Sequence, residues 1–472
     1  MKSRNLVFLR LAVAVSAALA VPAFAAPPAN RSMGPAPVTA APQARALGDA
    51  QWLTQAKRAA PRMVELAAPG KAALDRLKAQ RSTADAGERK ALEIGLGRKV
   101  ERSRVELGAL PWEIQADGSR AARFVVSSAG AKALRARLAL TAAGSGADPA
   151  AANLRFAGAD GRIFAESGEA FAGAKAGWTP IVAGDAMTIE IQLPKGANPE
   201  SYRLSVPMLS HLVFDPASDR RGLSKAFDDI GSSGDCEQDV VCRANPTPGF
   251  LAASSAVAHI AITGEEGDTA WCTGTLLNNE HSPKRSLFWT AAHCVADQAA
   301  AKSFVTYWFF EASACDNDTA SPRTVVLSGG SKLLFRNAKR DTALLELKTA
   351  PPTGAYYAGW SSYPIDVLGS PAEAIHHPSG DLKKYSLAQV AALATSRYGL
   401  APLTEVHWTG SGVTEGGSSG SGLFTVDAAG NYLLRGGLYG GPSYCGVPEA
   451  DKKDYYSQFS TAWPQISKYF RP

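Results

Sequence analysis

Short runs in which apolar and polar residues alternate, cut every few positions by Gly, Pro, Asn or Asp, fill this chain from about Ser119 onward. Arg123-Phe124-Val125-Val126, Asn153-Leu154-Arg155-Phe156, the stretch from Met187 to Leu193 and Tyr202-Arg203-Leu204-Ser205-Val206 carry the two-residue period of strands with one buried face. They predict a small antiparallel β-sandwich over residues 119–215. A polar connector, residues 216–230, follows. From Gly231 to the end come further short strand candidates, among them Val305 to Phe310 and Leu433 to Tyr439, joined by Gly, Ser, Asn and Pro loops. Over that length the pattern suits an all-β double barrel.

Before Ser119 the pattern differs. Residues 26–118 read as an Ala- and Pro-rich linker to about Gly48, then a segment dense in Ala, Leu, Lys, Arg and Glu that predicts one or two surface helices. At the N-terminus Lys2, Arg4 and Arg10 precede an apolar run from Leu11 to Val21 and then Ala23-Phe24-Ala25. A basic start, a short apolar core and small residues at the cut are the marks of a signal peptide over residues 1–25, and predict an exported chain, extracellular or periplasmic. No later segment is apolar enough to span a bilayer, so no membrane association is expected after that cut.

With 472 residues, 46% of them hydrophobic, the chain is too long for one core and apolar enough to fold into two or three domains. Its net charge of +6 is divided: 18 Lys+Arg face 22 Asp+Glu from Gly231 onward, and 31 face 21 before it. Opposite signs favour docking of one half on the other. The basic half has no clustered aromatics on which bases could stack, which argues against a nucleic-acid partner. All six cysteines, Cys236, Cys242, Cys272, Cys294, Cys315 and Cys445, lie in the C-terminal half. In an exported chain they form three disulfides, among 15 possible pairings. Their spacing fits no zinc motif, and neither a metal nor another cofactor is expected.

The chemistry concentrates in three stretches. Thr290-Ala291-Ala292-His293-Cys294 follows an apolar approach strand. Asp341 opens the strand-like Ala343-Leu344-Leu345-Glu346-Leu347, and Ser419 sits within Gly416-Gly417-Ser418-Ser419-Gly420-Ser421-Gly422. A serine hydroxyl is a weak nucleophile that needs a base in reach and a third group to orient the base. The glycines allow a tight turn that exposes Oγ and leaves the N–H groups of Gly417 and Ser419 free for a developing oxyanion. The adjacent His376-His377 pair points to opposite faces of a strand, which favours a structural role over a shared metal.

On these stretches, with His376-His377-Pro378, Val413-Thr414-Glu415 and Gly440-Gly441-Pro442-Ser443 before Cys445, the chain from Gly231 to its end resembles the bacterial lysyl endopeptidases of the trypsin-like clan. The resemblance implies a trypsin-like double β-barrel over residues 231–472, made as a precursor. Because a long β fold rich in non-local pairings forms slowly and an exported protease must stay silent until released, the propeptide before Gly231 is expected to act as intramolecular chaperone and inhibitor. The resemblance implies His293 as general acid and base, Asp341 as its orienting carboxylate and Ser419 as nucleophile. It also implies the disulfides Cys236 to Cys445, Cys242 to Cys315 and Cys272 to Cys294. Asp454, nine residues beyond the last cysteine, falls at the base of the primary specificity pocket, so peptides and proteins cut after Lys, and less readily after Arg, are the implied substrates.

Two aromatic positions of the family depart from its pattern: one falls on or near Tyr398, and a substrate-side histidine is replaced by Tyr439. Ser418 stands where animal enzymes of the clan carry the aspartate that captures a new N-terminal amine, so activation by that ion pair is not expected. The competing reading is a secreted, catalytically inert trypsin-fold protein that binds a ligand through its sandwich.

Overall fold

The computed structural model of the chain describes residues 28–39, 50–55, 59–84, 89–173, 177–214 and 233–472. The signal-peptide reading and the connector at 216–230 lie outside them. Among the described residues no helix is long and apolar enough to cross a membrane.

The C-terminal half is built of two β units. In the second, six strands close on themselves. Pro371–His376 pairs with Lys384–Arg397, then come Leu400–Trp408, Lys453–Tyr456, Tyr432–Gly440 and Gly422–Val426, which returns to Pro371–His376. Val390, Val406, Trp408, Leu423, Leu438 and Tyr456 fill its interior. The first unit runs from Val257–Thr263 through Thr269–Leu277 and Leu287–Thr290 to Thr342–Leu347 around Ile260, Leu276, Phe288 and Leu345. The strands of this first unit are buried on nearly every residue, so both of their faces are covered. The structure forms the three disulfides Cys236–Cys445, Cys242–Cys315 and Cys272–Cys294.

Ahead of these units, Arg120–Ser128, Ala186–Leu193, Asn153–Ala157 and Ile163–Ser167 make one sheet, and Ala133–Ala142 with Tyr202–Leu212 belong to another. The two share a core of Phe124, Leu138, Phe156, Ile189 and Leu204.

Three expectations need correction. Residues 28–39 are not an unstructured linker: Ser32–Met33 pairs with Gly359–Ser361, and Ala36–Pro37 with Tyr356–Tyr357. A Pro is tolerated there because each strand lies at a sheet edge. The helical reading of Asp49 to Gly108 holds only for Lys71–Ala84, since Arg62–Leu66 and Leu92–Lys99 are strands. In the latter, Leu92, Ile94 and Leu96 alternate with Glu93, Gly95 and Gly97. That is a strand period, and each glycine costs a helix about 1 kcal/mol.

Docking between the halves, third, rests on opposite charge at one buried ion pair, Lys90–Asp454, and otherwise on strand pairing and packing. Leu92–Lys99 bonds to Tyr202–Leu212 on one edge and to Thr269–Leu277 on the other, which joins both halves into one sheet. Phe214 packs edge-on against Trp271, with ring centroids 4.9 Å apart, and buried Arg135 donates to Thr263 Oγ1 at 3.0 Å. The cross-pairs Lys99–Glu266 and Arg31–Glu280 are exposed, and such pairs are worth about 0–1 kcal/mol.

Candidate active site

Strand register brings the first two residues of the constellation together. Leu287–Thr290 and Thr342–Leu347 pair antiparallel, with Thr290 opposite Ala343. The turn that leaves one strand and the residue that enters the other therefore lie at the same end. His293 sits in that turn and Asp341 just before the partner strand. Asp341 has φ of +50°, a left-handed conformation that aspartate tolerates better than most residues. Its Oδ1 accepts from the His293 backbone N–H at 2.9 Å, and its Oδ2 lies 2.8 Å from His293 Nδ1. Two bonds from one carboxylate hold both the loop and the ring. The Cys272–Cys294 disulfide ties the same loop to the neighbouring strand.

Ser419 comes from the other unit. Its Oγ lies 2.7 Å from His293 Nε2, and its carbonyl accepts from Thr273 N at 2.8 Å across the cleft between the units. Gly420 follows at φ +82°, where a Cβ would stand 2.2 Å from Thr290 Oγ1. Only glycine lets the serine turn come this close to the histidine strand.

Behind the turn, buried His376 bridges Ser418 Oγ at 2.8 Å and Ser386 Oγ at 3.0 Å. His377 instead turns its Nδ1 to Asp381 O at 2.9 Å. Burial, and then the nearby Lys90 charge, push the His376 imidazole down to about 3. The unfolded chain, with an ordinary imidazole near 6.5, binds more protons than the folded one between those values. Stability fully present above about pH 6.5 is therefore lost as pH falls toward about 3. For His376 that loss reaches about 2 kcal/mol at about pH 5. Denaturant unfolding of wild type and His376→Gln should reveal it as a stability gap that narrows by that amount between about pH 7.5 and about pH 5. A gap independent of pH would reject a neutral buried His376. Burial raises the carboxyl of Glu237, 3.7 Å from His376 Nε2, and this opposing contribution is common to both proteins.

Asp454 is fully buried, with Trp408, Thr414 and Ser443 around its carboxylate, at the end of the channel that a lysine side chain occupies. Its Oδ2 accepts from Trp408 Nε1 at 2.7 Å, from Thr414 Oγ1 at 2.7 Å and from Ser443 Oγ. Gly441 forms the wall, since a Cβ there would stand 2.4 Å from Asp454 Oδ1. Asp451, the other acid of that stretch, is exposed.

The channel is filled by Lys90, from the N-terminal half. Its Nζ lies 3.0 Å from Asp454 Oδ1 and donates to Thr414 Oγ1 at 2.8 Å, Ser443 O at 2.8 Å, Ser443 Oγ at 2.7 Å and Thr414 O. Its carbonyl oxygen accepts from Gly417 N at 2.5 Å and Ser419 N at 3.3 Å. Its own N–H reaches Tyr439 O at 3.5 Å, and Arg89 forms an antiparallel bridge with Gly440.

Tyr439 packs its ring edge-on against His293 at 5.6 Å, and Tyr398 lies 5.3 Å from Tyr439. Tyr398 thus packs on the ring that in turn touches the base. The sequence did not single out Lys90, Trp408 or a role for Ser386. Thr414 and Ser443 were visible only inside family motifs. Lys90 carries no local signal, being one basic residue in a basic stretch.

Residues 65–213 match the family described as lysyl endopeptidase N-terminal domain, and residues 230–457 the one described as lysyl endopeptidase, C-terminal domain. A lysyl endopeptidase from Pseudomonas aeruginosa is 46% identical over 385 residues, 81% of this chain and 82% of the relative. Among solved structures, the active form of the Rv3671c protease from M. tuberculosis aligns with 48% of this chain and 89% of its own, at 17% identity and a TM-score of 0.32. The HtrA-type protease AlgW with a tripeptide aligns with 47% and 62%, at 19% identity and a TM-score of 0.32.

Proposed function

Since the chain belongs to the lysyl endopeptidase family and is a serine endopeptidase, we propose that it hydrolyses peptide bonds on the carbonyl side of lysine, and less readily of arginine. In this reading Ser419 Oγ attacks the carbonyl carbon and passes its proton to His293 Nε2, while Asp341 holds Nδ1–H and favours the imidazolium. The N–H groups of Gly417 and Ser419 bond the oxyanion. The amine leaves with the proton from His293, and water then hydrolyses the acyl-enzyme by the same relay.

One observation carries the specificity: a lysine side chain spans the channel and meets Asp454 while its carbonyl lies on the N–H groups of Gly417 and Ser419. A point-like ammonium fits between Asp454, Thr414 and Ser443, whereas a planar guanidinium needs more width at the floor. Peptides that differ only at the residue before the cut test it. The expected order of kcat/KM is Lys, then Arg, then Leu or Phe by a wide margin. Equal cutting after Leu leaves only a general serine protease.

The N-terminal half serves as a propeptide of an exported enzyme and assists folding. A β fold rich in long-range pairings forms slowly, and Leu92–Lys99 covers an edge of Thr269–Leu277 that would otherwise stand open. Expression of residues 231–472 alone should give less than about a tenth of the active enzyme that co-expression with residues 26–230 gives. Equal yields would remove the chaperone role.

A further inference from the structure

We infer that Arg89-Lys90-Ala91 is a substrate mimic built into the chain, so that the precursor holds its own protease site shut by the specificity of that site. The inference rests on the reading of the cleft as a lysine-directed serine protease site, and names how that site is regulated.

Three features together distinguish this segment from a chance surface contact. The Lys90 side chain is wholly buried and its ammonium has five oxygens around it, one of them from Asp454. Its backbone runs antiparallel to Tyr439 and Gly440, as a peptide does when it adds a strand to a sheet edge. Its carbonyl oxygen sits between the N–H groups of Gly417 and Ser419, which makes Lys90–Ala91 the bond that faces Ser419.

A segment so placed acts as an inhibitor because the chain on its C-terminal side is anchored. Ala91 leads directly into Leu92–Lys99, which is bonded on both edges. When Ser419 Oγ displaces the Ala91 nitrogen and His293 passes the proton to that nitrogen, the new amine stays clamped at the cleft. It can re-form the bond at the expense of the ester before water replaces it. An ordinary substrate, lacking this anchorage, departs. Inhibition therefore requires both the lysine in the channel and the strand beside it, and ends when the N-terminal half leaves.

The test uses the full chain and a serine-directed fluorophosphonate. Wild-type precursor should label at least about tenfold more slowly than Lys90→Met precursor, with labelling followed on the full-length band. Equal rates would overturn the inference. In case Lys90→Met does not fold, reductive methylation of native Ser419→Ala precursor gives an independent reading. The Lys90 amine should resist modification by at least about tenfold relative to exposed Lys71, and modification at the Lys71 rate would overturn the inference. Absence of labelling in every precursor and in mature enzyme would instead strike the protease reading, while the methylation result still decides where Lys90 lies.

Discussion

Ser419→Ala should lower kcat by roughly 10^4- to 10^6-fold, the range that loss of a triad nucleophile produces. The substitution removes only Oγ, whose close partner is His293 Nε2 at 2.7 Å. The bonds that shape the turn are made by backbone, from Thr273 N to Ser419 O and from Gly420 N to Leu438 O. Circular dichroism and thermal unfolding should thus stay within the error of wild type while turnover vanishes. Active-site titration with a burst substrate is the direct check. A loss below about tenfold would move the nucleophile elsewhere. Ser418 is a poor substitute, because its Oγ faces His376 rather than His293.

Asp454→Asn should lower kcat/KM for lysyl substrates by roughly 10^2- to 10^4-fold. Removing one partner of a buried, bonded charge pair typically costs about 3–5 kcal/mol, and about 1.4 kcal/mol is a factor of ten in rate. The loss is concentrated on the substrate because Asp454 has other donors. Trp408, Thr414 and Ser443 already point at Oδ2, so the amide oxygen can keep a place for them, while the ammonium loses the carboxylate that bonds it. Mature Asp454→Asn should still react with a fluorophosphonate at Ser419 at close to the wild-type rate, since the probe needs neither lysine nor channel. Undiminished cutting after Lys would put the pocket charge elsewhere. Loss of labelling along with loss of cutting would mean that the substitution has disturbed the turn at Ser419, not the pocket alone.

The same pair explains why precursor and mature enzyme should answer differently to one mutation. In the precursor, Asp454→Asn also weakens the hold on Lys90, so the variant should be less tightly closed and a poorer protease at once. Comparison of probe labelling in precursor and mature forms separates the two effects.

Much of this was legible in local sequence, for a physical reason. Strand alternation records which face of each segment is buried, and it marked the segments within Arg120–Ser128, Ala186–Leu193 and Tyr432–Gly440 without knowledge of their partners. His293 and Asp341 were legible because each must end or begin a buried strand, and Ser419 because the turn around it demands glycine. Asp454 became visible only through its spacing from Cys445 in a family pattern, since a carboxylate among lysines looks solvated by itself.

Tertiary structure alone decided the rest. That Leu92–Lys99 joins two halves into one sheet depends on two free edges contributed by residues far away in sequence, and no short-range pattern encodes them. Trp408 and Ser443 acquire their role by converging on one carboxylate from separate strands and loops. Lys90 is the clearest case: its local sequence is that of any exposed lysine, and only the fold supplies a channel of the right depth with a buried charge at its end. Sequence by itself determined which segments could be strands and which residue types could do the chemistry, because sterics and burial act over a few neighbours. The plug in the pocket and the shared sheet came from complementarity between distant surfaces, which exists only once the chain has folded.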